Sequence, residues 1–314
     1  MLAAWISRRW NWVAIRVFDV DEQQIGRERR NDTTWRELLS STQPLVLPAA
    51  HDALTARLVE RAGFKAYQVG GFALDGSHYG FPDIDLTHFG EKSAVIRQTI
   101  GASSLPVLVD GDNGYGDVKN VTRTVRGYEA MGASAIFIED QVSPKSCGQE
   151  GKKEVIPAEE MIGKVKAAVA ACRVPGTFIL IRTDARSAVG LDEAIRRGEL
   201  YRDAGAHGLY IEGLESAAEL EKVGKALAGT PLATTMMEGG GKLPWLSPQE
   251  IGGYGFSMIL YPTTVLFRMT RAIERALADL HAGRPMSEQD AVDHATFDDI
   301  VGKEAWARIE DEFK

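Results

Sequence analysis

The chain has 314 residues, 44% of them hydrophobic, so it is long enough for one large domain or two small ones. Its formal net charge of −8 argues against nucleic acid as a partner. No apolar run approaches the length of a membrane span, and the two cysteines provide no disulfide framework. We therefore expect no membrane partner and a cytoplasmic location.

Short apolar segments alternate with amphipathic helical segments along most of the chain. The predicted strands are Leu45–Leu47, Ala66–Val69, Val107–Val109, Ala135–Ile138, Phe178–Ile181, Gly208–Ile211, Leu232–Met236 and Met258–Leu260. Apolar residues recur with the helical period between them, in segments such as Ala53–Ala62, Val118–Met131, Ala158–Ala171, Leu191–Ala204, Ser216–Ala228 and Ser247–Gly252. Eight βα units predict an α/β fold, a (β/α)8 TIM-type barrel rather than an open sheet.

In such a barrel, functional residues collect at the C-terminal ends of the strands. These positions hold Gly70, Gly71, Asp110, Asp112, Glu139, Asp140, Arg182, Asp184, Glu212, Glu238 and Thr263. Acids that cap the following helices explain only some of these residues. The sequence therefore predicts a functional site at this face of the barrel.

The segment Pro106–Gly116, which reads P-V-L-V-D-G-D-N-G-Y-G, is the most informative of these strand ends. Strand side chains alternate with period 2, so Asp110 and Asp112 are expected on one side of the strand. Together with Glu139 they form a predicted acidic cluster for Mg²⁺ or Mn²⁺, which prefer carboxylate oxygens. The alternative is an ordinary turn rich in Asp, Asn and Gly.

A long loop after the fourth strand contains S-P-K-S-C-G-Q, residues 143–149. Long loops at the active face of a barrel often act as lids. A thiol near a lysine can act as an acid or a nucleophile, which makes Lys145 and Cys147 candidate catalytic residues. The alternative is an incidental loop cysteine.

These motifs resemble, in order, those of the isocitrate lyase/phosphoenolpyruvate mutase superfamily. The resemblance rests on Leu47–Phe64, on P-V-L-V-D-G-D-N-G-Y-G, and on F-I-E-D-Q, S-P-K-S-C-G-Q, I-R-T-D-A and M-E-G-G-G-K-L-P. It covers about residues 34 to 285 and is nearest to the short C–C lyases. It implies an α/β barrel with Mg²⁺ at the strand ends and a last helix exchanged between subunits, usually in a homotetramer built as a dimer of dimers.

The resemblance also implies roles for individual residues. Asp110 resembles the direct metal ligand, and the residues that resemble holders of the metal's water shell are Asp112, Glu139 and Asp83. The implied substrate-binding residues are Gly70, Gly71, Gly148, Glu212, Thr235 and Glu238. The implied catalytic residues are Cys147, Lys145, Tyr67 and Arg182: Cys147 as the general acid of the gating loop, Tyr67 near the reacting hydroxyl and Arg182 on a substrate carboxylate.

The chain departs from the lyase pattern in the gating loop. The lyases usually read K-R-C-G-H, whereas Ser146 and Gln149 stand here in place of the arginine and the histidine. The missing side chains would ordinarily pair with substrate carboxylates and tune the thiol. A substrate with fewer carboxylates, or weaker lyase activity, is therefore consistent with this loop.

The predicted function is Mg²⁺-dependent cleavage of a 2-hydroxy di- or tricarboxylate, of the 2-methylisocitrate or 2,3-dimethylmalate type, to an oxo acid and a carboxylate. A phosphonomutase, or an oxaloacetate hydrolase or decarboxylase on the same metal site, is the alternative, although Cys147 argues against the mutase. A non-catalytic binding barrel is a further alternative, but it would be expected to lack some of the acids.

The two ends of the chain fall outside the predicted barrel, which spans residues 34–285. Residues 1–33 form an N-terminal extension outside the superfamily pattern, without the apolar core of a signal peptide. Residues 286–314 form a helical tail in which Phe297, Ile300 and Trp306 have helical spacing. We predict that this tail packs on a neighbouring subunit.

Overall fold

The computed structural model describes residues 33–41, 43–145, 153–285 and 288–314, so Cys147 and Gly148 lie outside the described residues. The eight strands are β1 (Leu45–Pro48), β2 (Tyr67–Val69), β3 (Val107–Asp110), β4 (Ala135–Glu139), β5 (Phe178–Thr183), β6 (Gly208–Ile211), β7 (Leu232–Thr235) and β8 (Met258–Tyr261). All neighbouring strands are parallel, in the order β1-β8-β7-β6-β5-β4-β3-β2. A bridge between Ala49 and Gln68 links the two end strands. The predicted barrel is confirmed.

Helices surround this barrel. They are Trp35–Leu38, Ala53–Arg61, Gly71–Leu74, Phe89–Gly101, Val118–Met131, Ala158–Ala171, Ala185–Ala188, Leu191–Asp203, Ala217–Ala226, Pro248–Gly253, Thr264–His281, His294–Val301 and Lys303–Glu312. A π-helical turn covers Asp75–Tyr79 and a 3-10 turn covers Glu288–Asp290. None of the described helices is long and apolar enough to cross a membrane.

The alternation of side chains along each strand separates two apolar layers. In β5, Phe178 and Leu180 point into the barrel, while Ile179 and Ile181 pack against the helices. The same parity continues to Arg182, the next inward position, at the end of the strand. Repeated in the neighbouring strands, this rule brings polar residues from several strands to one face of the barrel.

The helix Thr264–His281 leaves much of its apolar surface uncovered. Leu266 is buried, but Ile273, Leu277 and Leu280, which continue the same helical stripe, are 49%, 59% and 69% exposed. By contrast, helix His294–Val301 packs against helix Ala53–Arg61 of its own chain. Contact of the tail, residues 286–314, with a neighbouring subunit stays a prediction. The exposed apolar stripe lies mainly on the helix before the tail, Thr264–His281.

Candidate active site

A cavity of about 390 Å³ opens at the C-terminal ends of the strands. Its walls include most of the predicted site residues, namely Gly70, Gly71, Asp83, Asp110, Glu139, Lys145, Arg182, Glu212 and Thr235. A concave, partly apolar cavity with a few convergent polar groups is the usual form of a small-molecule site. Apolar side chains, among them Phe72, Leu243 and Phe267, line the rest of the wall.

Asp110 ends β3 and faces the cavity. Its carboxylate accepts hydrogen bonds from the backbone N–H groups of Gly71, at 2.8 Å, and of Asp112, at 2.9 Å. Burial and the neighbouring Asp112 carboxylate raise the pKa of Asp110 to about 6, although Lys145 and Lys92 act in the opposite direction. Asp110 therefore presents to the cavity a carboxylate that lacks a cation of its own within ion-pair distance among the described residues.

Asp112 lies in a turn beyond the end of β3, so the strand alternation assumed in the sequence prediction does not set its direction. The strand ends at Asp110, and Asp112 has a φ of 46°, in the left-handed region. A side chain at Gly111 would come within 2.8 Å of the Phe137 carbonyl oxygen, so only glycine fits in this turn. The turn buries Asp112 behind Asp110, where burial is outweighed by Lys145 and Lys92, which hold the pKa of Asp112 well below its usual range.

Lys145 brings its ammonium group into the acidic cluster. Its Nζ lies 2.7 Å from Asp83 Oδ1 and 2.5 Å from Asp112 Oδ1, and its backbone N–H donates to Asp85 Oδ2 at 2.8 Å. The side chain is nearly buried. Despite this burial, Asp112 and Glu139 raise the pKa of Lys145 well above its ordinary value, so the group is a fixed cation.

Glu139 and Arg182 lie side by side on β4 and β5. Arg182 Nε is 3.3 Å from Glu139 Oε2, but the guanidinium binds Asp184 more closely, with two hydrogen bonds of 2.9 Å. Burial raises the pKa of Glu139 to about 8, because Arg182 and Lys145 compensate it only in part. Like Asp110, Glu139 is an acid short of positive charge.

The side of the cavity near β6 and β7 is hydrogen bonded. Thr235 donates to Glu212 Oε2 at 3.1 Å and also forms a short hydrogen bond with the hydroxyl of Tyr210. The Tyr210 ring in turn lies 5.4 Å from the guanidinium carbon of Arg182. Glu212, expected here from its strand end, and Thr235, expected here from the family resemblance, therefore line the same cavity as the arginine.

Besides Asp112, two predicted site residues among the described part of the chain do not reach the cavity. Tyr67 is fully buried among the outer apolar residues, and its hydroxyl lies 3.4 Å from the Thr99 carbonyl oxygen. It points away because its position in β2 has outward parity, so the polar side chain that β2 supplies to the cavity is Gln68. Glu238 lies beyond the end of β7 and pairs with Arg268 on helix Thr264–His281, outside the cavity lining.

Several charged residues of the site were not singled out from the sequence. Lys92 is buried between Asp75 and Asp112, and Lys153 lines the cavity with its ammonium group on Asp184. Asp184 appeared only as a strand-end residue, yet it holds both Lys153 and Arg182. The pairs formed by the two lysines are long-range, so a local sequence pattern gives no signal for them.

The donor set fits a divalent cation that is bound largely through water. Among the described residues, no three acidic, histidine or cysteine side chains converge closely enough to form a full protein ligand set. Mg²⁺ commonly takes only one or two carboxylates and keeps several waters. Asp110 and Glu139, the two cavity acids whose raised pKa values reflect missing positive charge, fit that mode of binding.

Comparison with known proteins agrees with this site and fold. The phosphoenolpyruvate phosphomutase family matches residues 35–281. The chain is 38% identical over 281 residues to 2,3-dimethylmalate lyase of Eubacterium barkeri, covering 88% of this chain and 95% of the relative.

Solved structures give the same result. Oxaloacetate acetylhydrolase in complex with 3,3-difluorooxalacetate superposes with a TM-score of 0.84 at 27% identity, covering 91% of this chain and 96% of that one. A phosphonopyruvate hydrolase in complex with oxalate and Mg²⁺ has a TM-score of 0.78 at 28% identity, covering 88% and 96%.

The barrel fold, with a cavity lined by charged side chains at its strand ends, is that of a superfamily of lyases and mutases. The chain belongs to the phosphoenolpyruvate mutase/isocitrate lyase superfamily, as its motifs predicted.

Proposed function

We propose that the protein is a Mg²⁺-dependent C–C lyase, also able to use Mn²⁺, that cleaves a 2-hydroxy di- or tricarboxylate of the 2,3-dimethylmalate or 2-methylisocitrate type. The observation that carries the proposal is the juxtaposition of two buried acids with raised pKa values, Asp110 and Glu139, with Arg182 in one cavity. The 38% identity to 2,3-dimethylmalate lyase supports the choice of substrate class.

Different residues would bind the metal and the substrate. In this proposal Asp110 would bind the metal directly, while Asp112, Glu139 and Asp83 would hold its water molecules. Arg182 binds a substrate carboxylate through its planar guanidinium, which matches carboxylate geometry. Gly70 and Gly71 leave room for substrate against the backbone of the cavity wall, and Glu212 and Thr235 supply hydrogen-bonding groups opposite.

The chemistry is a retro-aldol cleavage. When bound, Mg²⁺ would act as a Lewis acid that stabilises negative charge on the substrate oxygen. The substrate hydroxyl would give its proton to water in the cavity and become a carbonyl as the C–C bond breaks. The bonding electrons would pass to the carbon next to the carboxylate of the second product. Cys147 then donates the proton that this carbon requires. Lys145, fixed on Asp83 and Asp112, holds the start of the loop segment that carries Cys147.

The proposal is tested by assaying the purified protein with Mg²⁺ on 2,3-dimethylmalate, 2-methylisocitrate, oxaloacetate and phosphonopyruvate. We expect oxo-acid release from a 2-hydroxy diacid, with loss of turnover on chelation and recovery on adding Mg²⁺ or Mn²⁺. Turnover of oxaloacetate or phosphonopyruvate alone would contradict the lyase assignment and favour the hydrolase or mutase alternative.

Metal affinity should depend on pH around neutrality. A carboxylate must lose its proton to bind a metal, and the pKa values of Asp110 and Glu139 are raised to about 6 and about 8. We therefore expect Mn²⁺ to bind more tightly as the pH rises from about 5 to about 8, as measured by titration of the substrate-free protein. A constant affinity over this range would show that neither acid gains its charge at the metal site.

We also propose a homotetramer in which the exposed stripe of helix Thr264–His281 is covered by a neighbouring subunit. Leu277→Glu should dissociate the assembly in sedimentation experiments, because it puts a charge in the middle of that stripe. Truncation after Gly283 should also weaken it. Val174→Glu, at an exposed apolar position between helix Ala158–Ala171 and β5, is the matched control. A Leu277→Glu protein that sediments like the unmodified protein would count against the interface.

A further inference from the structure

The mechanism makes no use of Lys92, a buried cation beneath the metal-binding face. Lys92 lies in the first turn of helix Phe89–Gly101 and is 1% exposed. Its Nζ is 2.7 Å from Asp112 Oδ2 and 3.3 Å from Asp75 Oδ2. A lysine ammonium is costly to bury, so its position requires these two carboxylates.

Lys92 touches the same part of the cavity wall as the proposed metal ligand. A methyl group in place of the Cα hydrogen of Gly71 would lie 3.1 Å from Lys92 Nζ, 3.2 Å from Asp110 Oδ2 and 3.4 Å from Asp112 Oδ1. The ammonium group and both aspartates therefore converge on the backbone of one cavity-lining residue. A side chain at this point would require these charged groups to move by a few tenths of an ångström.

The two oxygens of Asp112 have different partners. Oδ2 is bound by Lys92, which is fixed in a helix, whereas Oδ1 is bound by Lys145, which lines the cavity. Lys92 thus leaves Oδ1 as the oxygen of Asp112 that meets Lys145 at the cavity wall. Asp112 also has left-handed backbone, with a φ of 46°.

We propose that Lys92 is a positioning residue for the metal site: it holds Asp112 Oδ2 so that Oδ1 is directed toward the water shell of the metal at Asp110. This inference rests on the proposed function, because it assumes that a divalent cation binds at Asp110. Partners that orient metal-binding groups from behind typically change metal affinity by about 10- to 100-fold when they are removed.

The test is the affinity of the substrate-free protein for Mn²⁺, measured by electron paramagnetic resonance of the free ion. Lys92→Met should weaken binding by about 10- to 100-fold. The double variant Lys92→Met/Asp75→Asn removes the counter-charge as well, so Asp75 is not left buried and unpaired, and it should remain at least about 10-fold weaker. If Lys92→Met alone fails to fold, the Mn²⁺ affinity of the double variant still tests the positioning role of Lys92.

Lys164→Met is the matched control. Lys164 is also a buried lysine, and its Nζ donates to the backbone carbonyl of Asn113, in the same turn, at 3.1 Å. It forms no ion pair with the acidic cluster among the described residues. Its variant should bind Mn²⁺ like the unmodified protein.

Three results would overturn the inference while leaving the metal site intact. Binding of Mn²⁺ by Lys92→Met as tightly as by the unmodified protein, or more tightly, would make Lys92 only a competing charge. Recovery of full affinity in the double variant would trace the defect to unpaired Asp75. Equal weakening by Lys164→Met would show a general effect of removing a buried lysine. If the unmodified protein binds no Mn²⁺, the proposed metal site fails together with this inference.

Discussion

Replacement of Asp110 by alanine is expected to lower turnover by roughly 10³-fold or more, because a bound metal supplies several kcal/mol of transition-state stabilisation. Asp110 is the cavity-facing acid whose hydrogen bonds come from backbone N–H groups alone in the described part of the chain. The variant should also lose Mn²⁺ binding in the absence of substrate. Both readouts should change together, because one carboxylate is responsible for both.

Asp192→Ala provides a matched surface control for this variant. Asp192 is an exposed acid that pairs with Lys222 on the outer helices. In the sequence it is distant from Asp110, the residue of β3 that lines the cavity. It should keep turnover, Mn²⁺ affinity and thermal stability close to those of the unmodified protein, since exposed pairs contribute little. Retention of both turnover and metal dependence by Asp110→Ala would refute the assignment of Asp110 as the metal ligand.

Strand parity explains why much of the site could be predicted from sequence. The inward positions Leu108, Phe137 and Leu180 are each followed two residues later by a cavity residue, namely Asp110, Glu139 and Arg182. The apolar runs locate the strands, and the period of 2 then selects the face. The same rule, applied to β2, would have selected Gln68 and rejected Tyr67.

The remaining residues depend on contacts that no local pattern encodes. Asp112 follows the last residue of its strand by two positions, so its direction is set by a left-handed turn and not by strand alternation. Lys92 interrupts the apolar face of its helix. The reason is its ion pair with Asp112, which is 20 residues away in the sequence and is evident only from the structure. Glu238 was predicted to bind substrate, but it lies three residues beyond the end of β7 and its side chain turns toward Arg268.

The gating-loop cysteine gives the second large expected effect. Cys147→Ser should lower kcat by about 10² to 10⁴-fold, the range typical of proton transfer by a positioned acid. KM should change little, because substrate binding is assigned to Arg182 and the metal, and serine keeps the size of the side chain. Steady-state kinetics on the best diacid found in the substrate panel would measure the two parameters separately.

Cys172→Ser is the matched control, since it removes the other thiol of the chain. Cys172 is half-buried near the end of helix Ala158–Ala171, its Sγ lies 3.5 Å from the Ala168 carbonyl oxygen, and burial raises its pKa to about 11. A thiol in that setting is inert, so this variant should keep full activity. Equal losses in the two serine variants would point to a general effect on folding and not to proton transfer.

The state of Lys145 bears on whether a thiol two residues away acts as an acid or as a nucleophile. An uncompensated cation lowers a thiol's pKa and favours the nucleophilic thiolate. The Lys145 ammonium, however, lies between the carboxylates of Asp83 and Asp112, which offset its charge. A general acid must keep its proton at neutral pH, and the ordinary cysteine pKa of about 8.5 meets that requirement. If Cys147→Ser retains full activity, proton donation by this thiol is not part of the reaction, and the hydrolase or decarboxylase alternative becomes the better account of the same metal site.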